Sequence, residues 1–221
     1  MGSRDRDYWL RLVSREEYAI VLDFMPRGNP ADPHHPSHRE RPIAQAVGCK
    51  YFTLVEFHPR PGASLAIDEK VYIGFSRREL RDKVAYVWGE PVLYDDLTAI
   101  AKSNLPTAVQ RIVVELEKAF VRFFNTAPPL TIKLHTLELI PGVGKKTLWL
   151  ILDERGRGEF KDFADIRTRV KGFDPVRALT ERILSEIRGA ERYYLFVHPP
   201  KNATAATYLD YLSKLYGEEP L

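Results

Sequence analysis

The hydrophobic pattern of the chain changes period once, near residue 98. Before that point, apolar positions come in short runs of strand length. Residues 18–25 (YAIVLDFM) read as a buried strand, residues 43–47 (IAQAV) are apolar, and residues 50–58 (KYFTLVEFH) alternate as a strand does. Pro59-Arg60-Pro61-Gly62 is a turn signal. Residues 65–75 (LAIDEKVYIGF) predict one or two short strands with a polar break at Asp68-Glu69-Lys70. Residues 82–97 predict a strand before Gly89 and a short one after Pro91. Between the first two strands, residues 26–42 (PRGNPADPHHPSHRERP) have no hydrophobic period and read as a long exposed loop. Five or so short strands in about 80 residues predict a small β-barrel of OB type.

After residue 98 the spacing is helical. Val109, Ile112, Val113, Leu116, Phe120, Phe123 and Phe124 mark one face of an amphipathic helix over 106–125, with Pro106 in its first turn and Pro128-Pro129 ending it. The aromatic stripe of this helix reads as core. Residues 130–188 form a helical unit, 192–198 (RYYLFVH) a late strand expected to return to the barrel, and 203–216 a terminal helix. The expected fold is therefore α+β and multidomain. It comprises a barrel over 1–97, a connecting helix in 98–129, an all-α unit over 130–190, and a strand and helix in 191–221.

Composition narrows the function classes. Hydrophobic residues make up 44% and charged residues 29%, which suits a chain able to bury a core. No run of about eighteen apolar residues is present, so no membrane span is expected. The charged N-terminus lacks an apolar signal core. A single cysteine, Cys49, excludes an internal disulfide and a cysteine-rich metal or iron–sulfur site. These features predict a cytoplasmic protein. Net charge is +3 with a pI near 8.9, compatible with nucleic acid but weak as an argument, because both signs are abundant. The basic clusters are more telling: Arg77-Arg78 with Arg81 and Lys83, Lys145-Lys146, and Arg167, Arg169 and Lys171.

The densest signal lies at residues 137–152, LELIPGVGKKTLWLIL. Leu137 and Ile140 lead into Pro141-Gly142-Val143-Gly144, then come Lys145, Lys146 and Thr147, then the apolar Leu148, Ile151 and Leu152. A Pro-Gly-x-Gly turn reverses the chain tightly. The helix that follows starts with unpaired N–H groups and the positive end of its dipole, a ready anion site. The run resembles the nucleic-acid-binding helix-hairpin-helix motif, with one departure. Leu148 stands where that motif usually has a small residue, which implies a slightly splayed hairpin. Residues 163–187 look like a degenerate second copy: Ile166 and Val170 lead in, Lys171-Gly172-Phe173-Asp174-Pro175 turns, and Ala178, Leu179, Ile183 and Leu184 lead out, without the second glycine.

The order of these segments over about residues 8–197 resembles an archaeal family of uncharacterised proteins, described as predicted RNA- or nucleotide-binding proteins with an OB-like barrel followed by helix-hairpin-helix segments. The resemblance implies a fold and a binding class, with RNA favoured over DNA. It brings no catalytic residue, no cofactor and no known substrate. The implied backbone contacts are Gly142, Val143, Gly144, Lys145, Lys146 and Thr147, with Arg169 and Lys171 from the second turn. Lys146 occupies the position most like the motif's backbone-facing cation, and Gly144→Ala is expected to crowd the turn. The barrel is expected to add a groove of basic and aromatic groups drawn from Arg39, Arg41, Tyr51, Phe52, Arg77 and Arg78. The alternative is a protein-interaction scaffold in a translation- or ribosome-associated complex.

Catalysis and metal chemistry are not expected. A DNA glycosylase hairpin carries a lysine nucleophile where Lys146 stands. It also needs an aspartate about eighteen residues later, near Ala164, and that run and the four-cysteine cluster are missing. GVGKKT lacks the glycine spacing of a Walker loop. His34, His35 and His38 share one loop, but prolines stiffen it and no regular element positions them, so no metal site is assigned. His58, His135 and His198 are scattered and read as structural.

Overall fold

A computed structural model describes residues 3–30, 32 and 36–219, with the side chains of 3–6 excepted. The fold is α+β. A helix α1 (Ser3–Ser14) precedes five strands: β1 (Tyr18–Met25), β2 (Ile43–Gly48), β3 (Leu54–Pro59), β4 (Lys70–Tyr72) and β5 (Val84–Val87). They form one antiparallel sheet in the order β4-β1-β2-β3-β5, curled into a half-barrel. The register pairs Ala19 with Gly48 and Ile20 with Val47 across β1 and β2, and Ala44 with Phe57 across β2 and β3. Alternation explains the unbroken apolar run in β1. Ala19 and Val21 enter the cluster inside the curl with Ala44, Ala46, Val55 and Phe57, whereas Ile20 and Leu22 enter the cluster beneath the helices. Both faces of the strand are buried, so neither alternate position is polar until Asp23.

The second cluster is continuous from Ile20 through the helices to Leu212. It is built by α2 (Ala99–Glu115), α3 (Glu117–Thr126), α4 (Lys145–Arg157), α5 (Phe163–Arg169), α6 (Pro175–Ile187) and α7 (Tyr211–Tyr216), giving seven α-helices among the described residues. The helix expected over 106–125 starts earlier and is broken. The Thr98 side chain accepts from the Ala101 N–H and caps α2, so Pro106 falls inside the helix. Its missing N–H leaves the carbonyl of Lys102 without its intrahelical donor. The break falls at Leu116, which leaves helical geometry (φ −93°, ψ 19°).

Two buried carboxylates replace secondary structure where strands were expected. Glu16 accepts from the amides of Lys50, Tyr51 and Thr53, which holds the 48–53 turn instead of extending β3 back to Lys50. Glu186 accepts from the amides of Leu195, Phe196 and Val197 and from Arg182 Nε at 2.8 Å. Amides held by a carboxylate cannot join a ladder, so the 192–198 strand shrinks to β6 (Tyr193–Tyr194), paired in parallel with β7 (Thr207–Tyr208). The terminal helix accordingly starts at Tyr211 rather than 203. Among the described residues, no helix is long and apolar enough to cross a membrane.

Candidate functional site

The glycine turn sits between a single 3-10 turn, Thr136–Leu139, and α4. The 3-10 turn is pinned by a reciprocal cap: His135 Nδ1 accepts from the Leu137 N–H at 3.1 Å, and Glu138 Oε2 accepts from the His135 N–H at 2.8 Å. Burial, reinforced by the Arg155 charge, holds His135 below its ordinary pKa. The neutral ring is the form that accepts at Nδ1. Glu138 also meets Lys145 Nζ at 2.7 Å, and that hydrogen bond, with the His135 amide, holds its carboxyl below the usual carboxylate range.

Gly142 has φ +81°, a conformation that glycine adopts freely and other residues rarely do. Gly144 is different. It lies in extended backbone (φ −81°, ψ −179°), and a Cβ built there meets nothing within 4 Å. The crowding expected of Gly144→Ala is thus absent; the turn depends on Gly142. As the residue before α4, Gly144 has no side chain to cap the helix, and its carbonyl accepts from the Leu148 N–H at 2.8 Å. The first amides of α4, at Lys145, Lys146 and Thr147, are left without an intrahelical acceptor. Lys146 is exposed and makes no ion pair or hydrogen bond among the described residues. Leu148 is buried at 4% exposure, a core position.

Residues 170–178 repeat the backbone of this turn. Val143 N–H bonds the Ile140 carbonyl at 3.0 Å, and Phe173 N–H bonds the Val170 carbonyl at 3.2 Å. Gly172 has φ +82°, matching Gly142. The missing second glycine is Asp174, whose Oδ1 accepts from the amides of Val176 at 3.0 Å and Arg177 at 3.2 Å. An anion built into the chain therefore fills the position that stays open before α4. Arg169 meets Glu154 at 3.1 Å and Asp165 at 3.2 Å and also donates to the Gly158 carbonyl, so its charge clamps α4 to α5. Lys171 is exposed.

On the sheet, the expected aromatic groups change identity. Tyr51 and Phe52 are core residues at 2% and 0% exposure. Tyr86 of the edge strand β5 is exposed instead, as is Tyr18 at the start of β1. Tyr86 is 53% exposed, and its ring meets Trp88 edge-on at 5.4 Å. A cleft on one side of this pair is lined by Ser37, Arg41, Pro42 and His58, and one on the other side by Leu10, Phe75, Arg78 and Glu90. Arg41 and Arg78 thus flank the two rings. Arg39 is tied by its Nε to the Asp32 carbonyl, and Arg77 is exposed. Trp149, 63% exposed, follows Lys145 and Lys146 by one helical turn, and the fully exposed Ile132 neighbours Lys133, whose carbonyl Lys145 Nζ approaches at 3.4 Å. Sequence reading missed Tyr86, Trp88 and Trp149. The signal for Trp149 was its position, out of phase with Leu148, Ile151 and Leu152.

The loop expected to be exposed is partly buried. His38 is fully buried and Asp32 is 4% exposed, and together with Glu56 of β3 they form a polar cluster. Burial pushes the His38 pKa down, but hydrogen bonds to Glu56 and Asp32 outweigh it, and the ring is held above its ordinary value. His34 and His35 lie outside the described residues.

The chain belongs to the family described as protein of unknown function (DUF655), whose model matches residues 15–198. The Uncharacterized protein MJ0038 of Methanocaldococcus jannaschii is 41% identical over 184 residues, 82% of this chain and 80% of that protein. The crystal structure of Af1531 from Archaeoglobus fulgidus, a DUF655 member, is similar with a TM-score of 0.73 and 43% identity, covering 83% of this chain and 100% of that one. The expected kinship with archaeal uncharacterised proteins is met at that level, and neither description states a ligand.

Proposed function

We propose that this protein is a non-enzymatic nucleic-acid-binding protein, with RNA favoured, that grips a phosphate backbone at the start of α4. The observation that carries the reading is the contrast between two turns of one geometry. Asp174 closes the second with its own carboxylate, whereas Gly144 leaves the first open beside Lys146, which has no partner among the described residues. Amides at a helix start, joined to a lysine, bind phosphate without reading sequence. In this reading the repeated turns are a tandem helix-hairpin-helix unit in which the first copy binds and the second packs. The half-barrel is an OB-like barrel left open between β4 and β5. RNA is favoured because the exposed Tyr86, packed on the half-buried Trp88, stands beside clefts lined by Arg41 and Arg78, a combination suited to stacking unpaired bases.

The test is fluorescence anisotropy with labelled single-stranded RNA, hairpin RNA, and single- and double-stranded DNA at about 50 and 200 mM salt. Affinity should fall steeply with salt, by a slope of about −0.7 per phosphate on single strands. No binding to any probe at about 50 mM rejects the reading. The exposed Ile132 and Trp149 beside the lysines also suit a scaffold that docks a translation-associated protein. Pull-down followed by nuclease treatment separates the two, because a protein-held complex survives.

A further inference from the structure

The 26–42 loop has almost no apolar side chain to bury, yet its Asp32 and His38 are buried beside Glu56 of β3. What is buried there is polar: Asp32, His38 and Glu56, at 4%, 0% and 7% exposure. His38 Nδ1 lies 2.8 Å from Asp32 Oδ2 and 3.3 Å from Glu56 Oε2, and the three atoms all fall within 4.8 Å of one another. Two carboxylates therefore converge on one ring nitrogen. Three donor atoms of metal-ligand type are thus buried together.

We propose that Asp32, His38 and Glu56 supply three ligands of a structural site for a divalent transition metal of the zinc class, with water as the fourth, tying Asp32 and His38 to β3. A neutral imidazole nitrogen and two carboxylate oxygens are the donor types that zinc and its first-row neighbours take, and two carboxylates balance a divalent charge. Ligand atoms about 2.0–2.2 Å from a tetrahedral zinc stand about 3.3–3.6 Å apart. The 3.3 Å edge already fits, and the 2.8 Å edge has to open by about half an ångström. The donors are also held from behind. Gln45 Nε2 donates to Glu56 Oε1 at 2.8 Å, which orients the carboxylate as outer partners of metal ligands do. Asn29 N–H donates to the His38 carbonyl at 2.7 Å, Asp32 N–H to the Asn29 carbonyl at 3.0 Å, and Arg39 Nε to the Asp32 carbonyl at 3.0 Å. The Trp88 ring stands edge-on to His38 at 4.5 Å between centroids, so the site is enclosed and its role is structural. Such a staple sets the position of Arg39 and Arg41 on the surface, independently of whether the α4 turn binds nucleic acid.

The experiment uses the full chain stripped with a chelator, then titrated calorimetrically with ZnCl2 and MnCl2, melted with and without metal, and loaded with Co2+. Expected are one equivalent bound, a melting temperature raised by about 5–10 °C at 100-fold excess over Kd, and Co2+ absorption bands of tetrahedral intensity. Asp32→Asn and Glu56→Gln should each lower affinity more than about tenfold. The competing outcome is a metal-free ion network with His38 as its cation. No uptake and an unmoved melting temperature, weak octahedral Co2+ bands typical of surface imidazoles, or equal uptake by wild type and both variants overturns the proposal. The wild-type titration and the Co2+ spectrum decide even where a variant fails to fold.

Discussion

Lys146→Ala is expected to weaken binding of single-stranded RNA about fivefold at 0.1 M salt and to flatten the salt dependence by about 0.7 in slope. The magnitude follows from counterion release. Each phosphate neutralised on a single strand contributes a factor of salt concentration to the power of about −0.7, which is about five at 0.1 M. The full factor is assigned to Lys146 because its ammonium has no ion pair or hydrogen bond among the described residues. Lys145 starts from another state, with its Nζ 2.7 Å from Glu138. A phosphate has to compete with that carboxylate, so Lys145→Ala should cost less than about half as much in slope. The two lysines also point about 100° apart, because a helix has 3.6 residues per turn. Neither substitution should alter base preference, since backbone contacts carry no direct sequence information. The assay is anisotropy over a salt series on three sequences of equal length, with circular dichroism melts as the folding control. If folded Lys146→Ala matches wild type in affinity and slope, the α4 turn is not the contact. If Lys145→Ala has the larger effect, the argument from the Glu138 pair is wrong.

Other substitutions test the local geometry. Gly142→Ala should cost about 1–2 kcal/mol in urea unfolding, because an L side chain is placed at φ +81°, whereas Gly144→Ala should cost less than about 1 kcal/mol; equal costs would refute the assignment of the turn to Gly142. Glu186→Gln should destabilise by about 3–5 kcal/mol, because an amide cannot replace a carboxylate that accepts from three backbone N–H groups and leaves Glu191 as the remaining carboxylate of Arg182; a loss under about 1 kcal/mol would contradict the clamp. Tyr86→Ala should weaken single-stranded RNA by about 1–3 kcal/mol and leave duplex binding nearly unchanged, checked by anisotropy on both probes; an equal loss on duplex excludes stacking. The Glu138 carboxyl is held below its ordinary value of 4.5, so its contribution is present above that pH and lost as pH falls through the lowered value. Lys145→Ala should therefore abolish part of the stability difference between pH 7 and pH 3, measured by urea titration at both.

The strands and the glycine turn were legible because local chemistry decides them. Continuous apolarity in YAIVLDFM, helical spacing through Phe124 and the Pro-Gly-x-Gly run each specify backbone geometry within a few residues. What was not legible is settled by distant partners. Nothing in RYYLFVH shows that Glu186 takes three of its amides, and nothing in the prolines and histidines of 26–42 shows that His38 lies under Trp88 against Glu56. Exposure of aromatics was the other blind spot. Tyr51 and Phe52 sit near basic residues in sequence yet pack in the core, whereas Tyr86 is exposed because it alternates with the buried Val87 along β5.

The two turns make the point most sharply, because one residue separates their chemistry. Their glycines at positive φ agree within a degree, at +81° and +82°, and both close with the same backbone hydrogen bond. Packing alone therefore does not distinguish them: each fixes the angle between a short element and the helix after it. The difference is at the residue before that helix. Asp174 supplies the carboxylate that satisfies the helix amides, a cap that typically contributes about 1 kcal/mol. Gly144 forgoes that stabilisation and sets two lysines beside the open amides instead. A helix start left uncapped by its own chain, with an unpaired cation in its first turn, is what a phosphate site requires. On the proposed reading, the sequence difference Gly144 against Asp174 is a division of labour between a turn that would bind phosphate and a turn that holds the fold.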